Sequence, residues 1–441
     1  MGKPESAASP VAMASSWSRT FSALRHRNYR LFWGGQLVSL TGTWMQNAAQ
    51  SWLVLLLATS EFGKVNAAFY VGLVSALGSM PIFLLCLFAG VISDTHDRRR
   101  ILLLTQCGLM VLAFALGVLV QTGTVRLWHV AIFSMCSGLI MAFDMPTRQA
   151  FIKDIASPRD LLNAIALNST IFNLARIFGP AVAGQLIKVQ QIDLHLAAWH
   201  LQVRTFGIPG ALYINAASFL AVLLGLLLIR VAPAPRHPRE GNVWQHMAEG
   251  FRYVAGERTT FALLVMMAIF SVFGFSYAVL LSVVAVQVLG LDSSGYGWLM
   301  TASGVGATVG ALLLAGTAGR IRKGQVLLWG GTLSTLALIG FSFSRSFPLS
   351  MLLLTFVGGG LVVCSASINS LIQEIVPDHL RGRVVSIWAF IFAGFTPIGS
   401  LFAGVMAHLT TPCIAIMISG IICLALIAFF SLRMRWIWLL Q

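Results

Sequence analysis

Charge is scarce in this 441-residue sequence, and negative charge is the scarcest. Asp and Glu number 14 against 29 Lys and Arg, and all four together make up only 10% of the chain. A soluble globular domain carries about 25% charged residues, so this composition excludes an ordinary water-soluble protein. The 57% share of hydrophobic residues and the mean hydropathy of +0.84 indicate a chain whose main solvent is lipid.

Cysteine and histidine are also few, with six and nine residues. The cysteines all fall in apolar stretches, where they pack as small hydrophobic side chains and form no disulfide framework. The sequence has no His-rich motif, no intramembrane metal cluster, and no Ser or Cys nucleophile with a base nearby in sequence. We therefore expect a protein that is not an enzyme and that holds no metal and no cofactor.

Long apolar runs are abundant. A helix needs about 20 mostly apolar residues to cross the hydrocarbon core. The runs are continuously apolar and rich in Gly, unlike the alternating segments of about 10 residues in a membrane β-barrel. We predict an all-α integral membrane protein with twelve transmembrane helices, at residues 31–57, 68–92, 101–121, 127–144, 161–187, 210–229, 260–289, 295–317, 325–343, 348–368, 383–407 and 412–432.

The basic residues lie mainly in alternate loops. Placing both termini in the cytoplasm puts 23 Lys and Arg in the cytoplasmic segments and five in the opposite loops. Excess positive charge in cytoplasmic loops determines membrane orientation, so we expect both termini in the cytoplasm. The net charge of +15 could suggest a protein that binds nucleic acid, but the placement of the basic residues in alternate loops argues against that function.

The second half of the chain repeats the first at an offset of 220 residues. Without a gap, Gly179 aligns with Gly399 and Gly184 aligns with Gly404. Each half holds six predicted spans, and an even number makes the two repeats parallel, an arrangement of secondary transporters. The predicted segments are a cytoplasmic N-terminal segment 1–30, an N-terminal half 31–230, a cytoplasmic linker 231–258, a C-terminal half 259–435 and a tail 436–441.

The linker combines prolines with basic residues, followed by a stretch at 243–254. That stretch has the pattern of an amphipathic helix lying on the membrane surface. The alternative is a plain tether between the halves, and we favour it.

The loop after the second span combines a glycine, two carboxylates and an arginine cluster, in the order Gly90, Asp94, Asp97 and Arg98. A carboxylate here can cap a helix or pair with arginines, and a glycine allows helices to approach closely. We interpret these four residues as a conformational latch whose making and breaking biases one state over another. The alternative is that the arginines only fix the loop in the cytoplasm.

The fifth span carries Asn173, Arg176, Gly179 and Pro180. Pro180 removes a backbone hydrogen bond, which predicts a helix bend at Gly179 and Pro180. A guanidinium facing lipid is costly, so we expect Arg176 to face a substrate cavity, with Asn173 as a further cavity residue. The alternative is that Arg176 snorkels outward or braces the bend by binding helix carbonyls.

The first span presents a polar stripe. Thr43, Asn47 and Gln50 share one helical face with Gln36, and polar side chains in hydrocarbon tend to face inward. We therefore expect Thr43, Asn47 and Gln50 to line the substrate cavity. Trp44, near the middle of the span, is as compatible with helix packing as with stacking on a substrate.

Asp144 is the acidic residue closest to the middle of a span, at the predicted inner end of the fourth helix, four residues before Arg148. Two interpretations stay open. The pair is either a proton-sensitive coupling or gating site, or a carboxylate that simply partners Arg148 at a helix end.

Several short sequence segments together resemble those of one known family. The chain is similar to the transmembrane secretion effector branch of the major facilitator superfamily, which includes enterobactin exporters and macrolide efflux pumps. The loop at Gly90 resembles the superfamily's loop signature, and Gly179-Pro180 resembles its antiporter motif. The strings that carry the branch resemblance are Leu24–Trp33, Gly42–Gln46, Asp144–Ala150, Asn163–Ser169 and Val376–Arg383.

The resemblance implies a major facilitator fold and secondary active export of small amphipathic molecules, such as siderophores, drugs or metabolites, across the bacterial inner membrane. We expect alternating access with proton antiport, a monomer in the lipid bilayer, and small molecules and protons as partners. Rival interpretations are an uptake permease, a lysophospholipid flippase of the same fold, and a non-transporting membrane scaffold. With Arg176 as the cavity charge and no central carboxylate, neutral or anionic cargo fits better than cationic cargo.

Overall fold

The computed structural model describes residues 21–157, 159–189, 191–196, 199–204, 207–230, 243–317, 321–433 and 438. Parts of the predicted N-terminal segment, linker and tail therefore lie outside the described residues, at 1–20, 231–242, 436, 437 and 439–441. The described chain is helical apart from one β-hairpin.

Six helices form the first half. They are α1 (Arg27–Phe62), α2 (Lys64–Thr95), α3 (Arg98–Gln121), α4 (Leu127–Ile155), α5 (Leu161–Lys188) and α6 (Gly207–Leu228). Two strands, β1 (Gln191–Leu196) and β2 (Trp199–Arg204), pair antiparallel between α5 and α6. This hairpin was not predicted from the sequence. We call its side of the membrane the hairpin face and the side where α1 begins the terminal face.

A short helix, α7 (Val243–Gly256), precedes the second half. The seventh span consists of α8 (Arg258–Ile269), a π-helical turn at Phe270–Gly274, and α9 (Tyr277–Gln287). The eleventh span is likewise divided into two helices. The remaining bounds are α10 (Ser293–Thr317), α11 (Lys323–Phe343), α12 (Phe347–Ile375), α13 (Asp378–Gly394), α14 (Thr396–Leu409) and α15 (Pro412–Arg433).

Eleven segments within the described ranges are long and apolar enough to cross a membrane. The helix α1 completes the predicted twelve, although polar side chains make it less apolar than the others. Its 36 residues extend about 54 Å, well beyond a hydrocarbon core of about 30 Å. The helix α1 is therefore long enough to cross the membrane despite its polar stripe.

The predicted end of the fourth span was wrong. It was placed at Asp144, but α4 continues to Ile155 and includes Pro146. Arg148 pairs with Asp144 one turn away, and such a pair supports a continuing helix. Proline is tolerated inside membrane helices because neighbouring groups can satisfy the freed carbonyl.

The two halves meet along two pairs of helices that the repeat relates: α5 packs on α10, and α2 packs on α14. A Cβ added to Gly184 would lie 2.7 Å from Ser293 O, and one added to Gly404 would lie 2.9 Å from Gly72 Cα. Small residues permit such close approach of membrane helices. Gly184 and Gly404 align in the sequence repeat, so the two interfaces use equivalent positions.

Further contacts between the halves lie toward the hairpin face. Ser51 Oγ donates to Ser282 Oγ over 3.2 Å, which joins α1 to α9. Close by, the rings of Trp52 and Tyr296 stack with centroids 5.7 Å apart. These four residues bring the central helices of the two halves together on this side.

The linker helix α7 packs against the second half. This part of the linker is therefore more than the plain tether that we favour from the sequence. Glu249 forms an ion pair with Arg383 at the terminal end of α13. A Cβ added to Gly250 would lie 3.2 Å from Ile387 Cδ1, and Val254 is buried. The side of α7 that carries Gly250 and Val254 therefore packs against protein.

Candidate substrate cavity and its gates

Arg176 lies where α5 meets α1 and α10. Its guanidinium carbon is 5.9 Å from the ring centroid of Trp44 on α1, and its Nη2 donates to Ser303 Oγ on α10 over 3.4 Å. The side chain is half-buried, and no carboxylate pairs with it among the described residues. A positive charge without a counter-ion at this depth can bind an anionic group of a ligand.

Ser303 also links Arg176 to the seventh span. The hydroxyls of Tyr277 and Ser303 lie 2.7 Å apart, and Thr301 Oγ1 donates to Ile177 O over 3.0 Å. This polar contact between the halves was not predicted from the sequence. A Tyr or Ser inside an apolar span is too common a signal to identify its partner, which here is 127 residues away from Arg176.

The residues of the predicted helix bend are both buried. A Cβ added to Gly179 would lie 2.6 Å from Trp44 Cβ, and one added to Gly297 would lie 2.5 Å from Pro180 O. The helix α5 runs through Pro180 as one element. Gly179 thus allows close packing on α1, while Pro180 contacts the opposite half.

The polar stripe of α1 divides between different environments. Thr43 Oγ1 donates to the backbone oxygen of Ser39 over 2.9 Å, and Gln50 Nε2 donates to Ser134 Oγ on α4 over 2.7 Å. Asn47 is exposed. Of these three predicted cavity residues, Asn47 is the most exposed.

Two other polar residues differ in burial. Gln36 is 1% exposed, and neither of its amide atoms has a hydrogen-bond partner in the described ranges. Asn173 is half-buried, and its Nδ2 donates to Ser169 O one turn back on α5. Asn173 stays a cavity candidate, three residues from Arg176.

Asp144 is fully buried between α3 and α4. Thr105 Oγ1 and Gln106 Nε2 donate to its Oδ1 over 2.8 and 2.7 Å, and Arg148 pairs with its Oδ2. A buried carboxylate is stable only with such partners, since removing one leaves an uncompensated charge. The arrangement is compatible with a structural pair and with a coupling or gating site.

The predicted latch residues lie at the terminal ends of α2 and α3. Asp97 caps α3 by accepting from the backbone N–H groups of Arg99 and Arg100. Arg98 Nη1 donates to Asp154 Oδ1 at the end of α4 over 2.8 Å. The Asp94 side chain lies outside what the structure describes.

Gly90, the fourth latch residue, has open space beside it. A Cβ added there would meet no described atom within 4 Å, so the close helix approach expected at Gly90 is not made in this conformation.

An ion pair that was not predicted from the sequence joins the two halves at the hairpin face. Lys188 Nζ at the end of α5 lies 2.7 Å from Asp292 Oδ2, just before α10 in the other half. The hydrogen bond from Lys188 and one from the Gly295 backbone hold the pKa of Asp292 below its ordinary value. The pair therefore joins the two halves at this face.

Comparisons with known proteins cover nearly the whole chain. A family model described as transmembrane secretion effector matches residues 18–437. The chain is 26% identical to the staphyloferrin A transporter of Staphylococcus aureus, covering 92% of this chain and 96% of that one. It is 22% identical to the enterobactin exporter EntS of Escherichia coli O1:K1 / APEC, covering 92% and 91%.

Among solved structures, the fold resembles a bacterial homologue of the human lysosomal transporter Spinster, captured inward-facing and unoccupied. The TM-score is 0.69 at 14% identity, covering 94% of this chain and 96% of that one. An identity this low shows the fold alone. The prediction of a twelve-helix major facilitator fold is confirmed.

Proposed function

Because the chain belongs to the transmembrane secretion effector family of major facilitator transporters, we propose that it exports small amphipathic molecules across the bacterial inner membrane. The cargo class is anionic or neutral, and the single observation that carries this proposal is the environment of Arg176. Its charge contacts an aromatic ring and a hydroxyl and has no carboxylate partner in the described chain. A relative named as an exporter supports the outward direction.

The orientation rests on the distribution of charge. The terminal face carries most of the Lys and Arg, so we assign it to the cytoplasm, together with both termini. Contacts of the central helices lie toward the hairpin face, at Ser51 with Ser282 and Trp52 with Tyr296. The cavity then opens to the cytoplasm, which is the state in which an exporter loads cargo.

Arg176 attracts an anion because a cation in a membrane interior loses most of its hydration. Trp44 supplies a cation–π contact worth about 0.5–1 kcal/mol that orients the guanidinium without neutralising it. The exposed Asn47 adds hydrogen-bonding capacity. Cationic cargo gains nothing from this site.

Alternating access follows from two interfaces that cannot both stay closed. On the hairpin face, Lys188 and Asp292 must separate for release. On the terminal face, the latch of Gly90, Asp94, Asp97 and Arg98 takes part in the alternate closure. The halves rock as rigid bodies, and the glycine contacts at Gly184 and Gly404 belong to the closed hairpin face. One chain contains both halves, so a monomer suffices.

Proton antiport is the coupling we propose, with Asp144 and Arg148 as its site. Asp144 is a buried carboxylate inside a helix of the first half, with donors on α3 and α4. Protonation would remove its charge and weaken the pair with Arg148, which changes the packing of these two helices.

The test compares anionic and cationic toxic compounds in a deletion strain complemented with the wild type, Arg176→Ala or Arg345→Ala. Arg345 is a matched loop arginine that hydrogen-bonds nearby carbonyls. We expect Arg176→Ala alone to lose protection against anionic compounds. Two results contradict the proposal: a wild type that protects only against cationic compounds, and an Arg176→Ala variant that protects against anionic compounds as well as the wild type does. Either result favours a different cargo, or a role in uptake, lipid flipping or scaffolding.

A further inference from the structure

The seventh and eleventh spans are both interrupted, and the two interruptions pack on each other. The π-helical turn Phe270–Gly274 divides one span, and Phe395 lies between α13 and α14 in the other. Ser271 Oγ donates to Phe392 O over 3.0 Å, and a Cβ added to Gly399 would lie 2.5 Å from Val272 O. Turns of this kind inside membrane helices often mark binding sites.

Six aromatic rings lie around these interruptions, in two groups of three between which the described chain shows no ring contact. Trp388 and Phe392 stack with an interplanar angle of 2° and centroids 5.4 Å apart, and Phe275 meets Phe392 edge-on at 5.6 Å. On the other side, Phe83 stacks on Phe390 at 5.4 Å. The aromatic cluster consists of Phe83, Phe275, Trp388, Phe390, Phe392 and Phe395.

The aromatic cluster joins the two halves. Phe83 belongs to α2 in the first half, and it contacts Phe390 and Phe395 in the second. It lies further from the hairpin face than the contact of Gly72 with Gly404. The cluster is therefore on the cavity side of that closed contact.

Arg176 lies at a similar depth on the opposite interface, where α5 meets α10. It is 15 residues from the terminal end of α5, and Phe83 is 12 residues from the terminal end of α2. At about 1.5 Å per residue these positions are about 22 and about 18 Å from the helix ends. Both features therefore lie at a similar distance from the terminal ends of their helices.

One ring of the cluster keeps an open surface. Phe392 is 38% exposed although two rings contact it. The indole N–H of Trp388 is buried without a hydrogen-bond partner in the described part of the chain. An exposed ring face and an unused donor are what a planar ligand with a polar substituent requires.

We propose that the aromatic cluster is a second subsite, which stacks on an aromatic ring of the cargo while Arg176 binds an anionic group of the same molecule. The inference rests on the proposed function and narrows its cargo to aryl compounds that carry an acid. A polycarboxylate without an aromatic ring would bind at Arg176 and gain nothing from the aromatic cluster.

The experiment uses two probes that differ only in the ring, 1-naphthoyl-triglycine and its decahydronaphthoyl counterpart. Both carry one carboxylate and a flexible spacer, so only stacking distinguishes them. Affinities are measured by calorimetry on the full chain in lipid nanodiscs, for the wild type, Phe83→Leu, Phe392→Leu and Arg176→Ala. Phe429→Leu is the matched control, because Phe429 is an exposed ring on α15 that pairs only with Phe430 in the described chain.

The wild type should bind the naphthoyl probe about 10-fold more tightly, and each leucine variant should reduce that ratio about 3-fold or more. Affinity for the saturated probe should change less than about 2-fold, which shows that these variants fold. Phe429→Leu should leave the ratio intact, and Arg176→Ala should weaken both probes equally. Equal binding of both probes by the wild type, or an unchanged ratio in Phe83→Leu and Phe392→Leu, overturns the aromatic subsite alone. Binding of neither probe overturns the Arg176 site and the subsite together.

Discussion

Lys188 and Asp292 form an ion pair between the two halves, with Nζ 2.7 Å from Oδ2. Lys188 ends α5 and Asp292 precedes α10, so the pair closes the hairpin face beside the contact of Gly184 with Ser293. The bond must break whenever this face opens.

Removing the pair should shift the conformational equilibrium toward opening of the hairpin face. Exposed ion pairs contribute about 0.2–1 kcal/mol, so Lys188→Ala should raise the open population by up to about 5-fold. Distances between spin labels on the hairpin ends of α5 and α10 measure this population. The swapped variant, Lys188→Asp combined with Asp292→Lys, should restore the closed state. If the swapped variant behaves like Lys188→Ala, the attraction between the two charges does not hold this face closed.

The pH dependence of the ion pair between Lys188 and Asp292 has a definite sign. Lys188 lowers the pKa of Asp292 in the closed state. The contribution of the pair is therefore present above the ordinary pKa of about 3.8 and is lost only as the pH falls through the lowered value. Between pH 7 and 5 the closed fraction should not respond to Asp292, so Asp292→Asn should lower that fraction equally at both values. A difference between pH 7 and 5 that Asp292→Asn abolishes would be inconsistent with this assignment.

The glycines of the repeat should be essential for movement of the halves. A valine at Gly184 or Gly404 would place side-chain atoms against Ser293 O or Gly72 Cα. We expect Gly184→Val and Gly404→Val to reduce transport at least about 10-fold while the chain still inserts, since helix approach is blocked. Gly34→Val is the control, because a Cβ there meets no described atom within 4 Å. Transport at wild-type rates by both interface variants would exclude these contacts from the mechanism.

The Asp144 and Arg148 pair should contribute strongly to stability. Removing one partner of a buried ion pair costs about 3–5 kcal/mol, because the other charge is left unpaired. Asp144→Leu should therefore lower the midpoint of thermal unfolding more than Asp144→Leu combined with Arg148→Met. If the single and double variants unfold at the same temperature, the pair is not coupled in the folded protein.

Sequence pattern identified the helices because membrane spans have a strong local signal. It also identified Arg176 as an unusual residue, since one charge in an apolar run is conspicuous. It could not identify Ser303 as its contact or Asp154 as the partner of Arg98, because periodicity gives the face of a helix but not which helix packs there. The interruptions at Phe270–Gly274 and Phe395 were missed for a related reason: the spans remain apolar through them.

The most direct test of the account measures transport of an anionic substrate into inside-out membrane vesicles, in which the cytoplasmic face is outside. An imposed proton gradient, acidic inside, should drive accumulation by the wild type. Arg176→Lys should retain part of this uptake and Arg176→Ala should lose it, because the account assigns a binding role to the positive charge. Uptake that is confined to right-side-out vesicles, or that is equal in Arg176→Ala and the wild type, would contradict export of anionic cargo through this site.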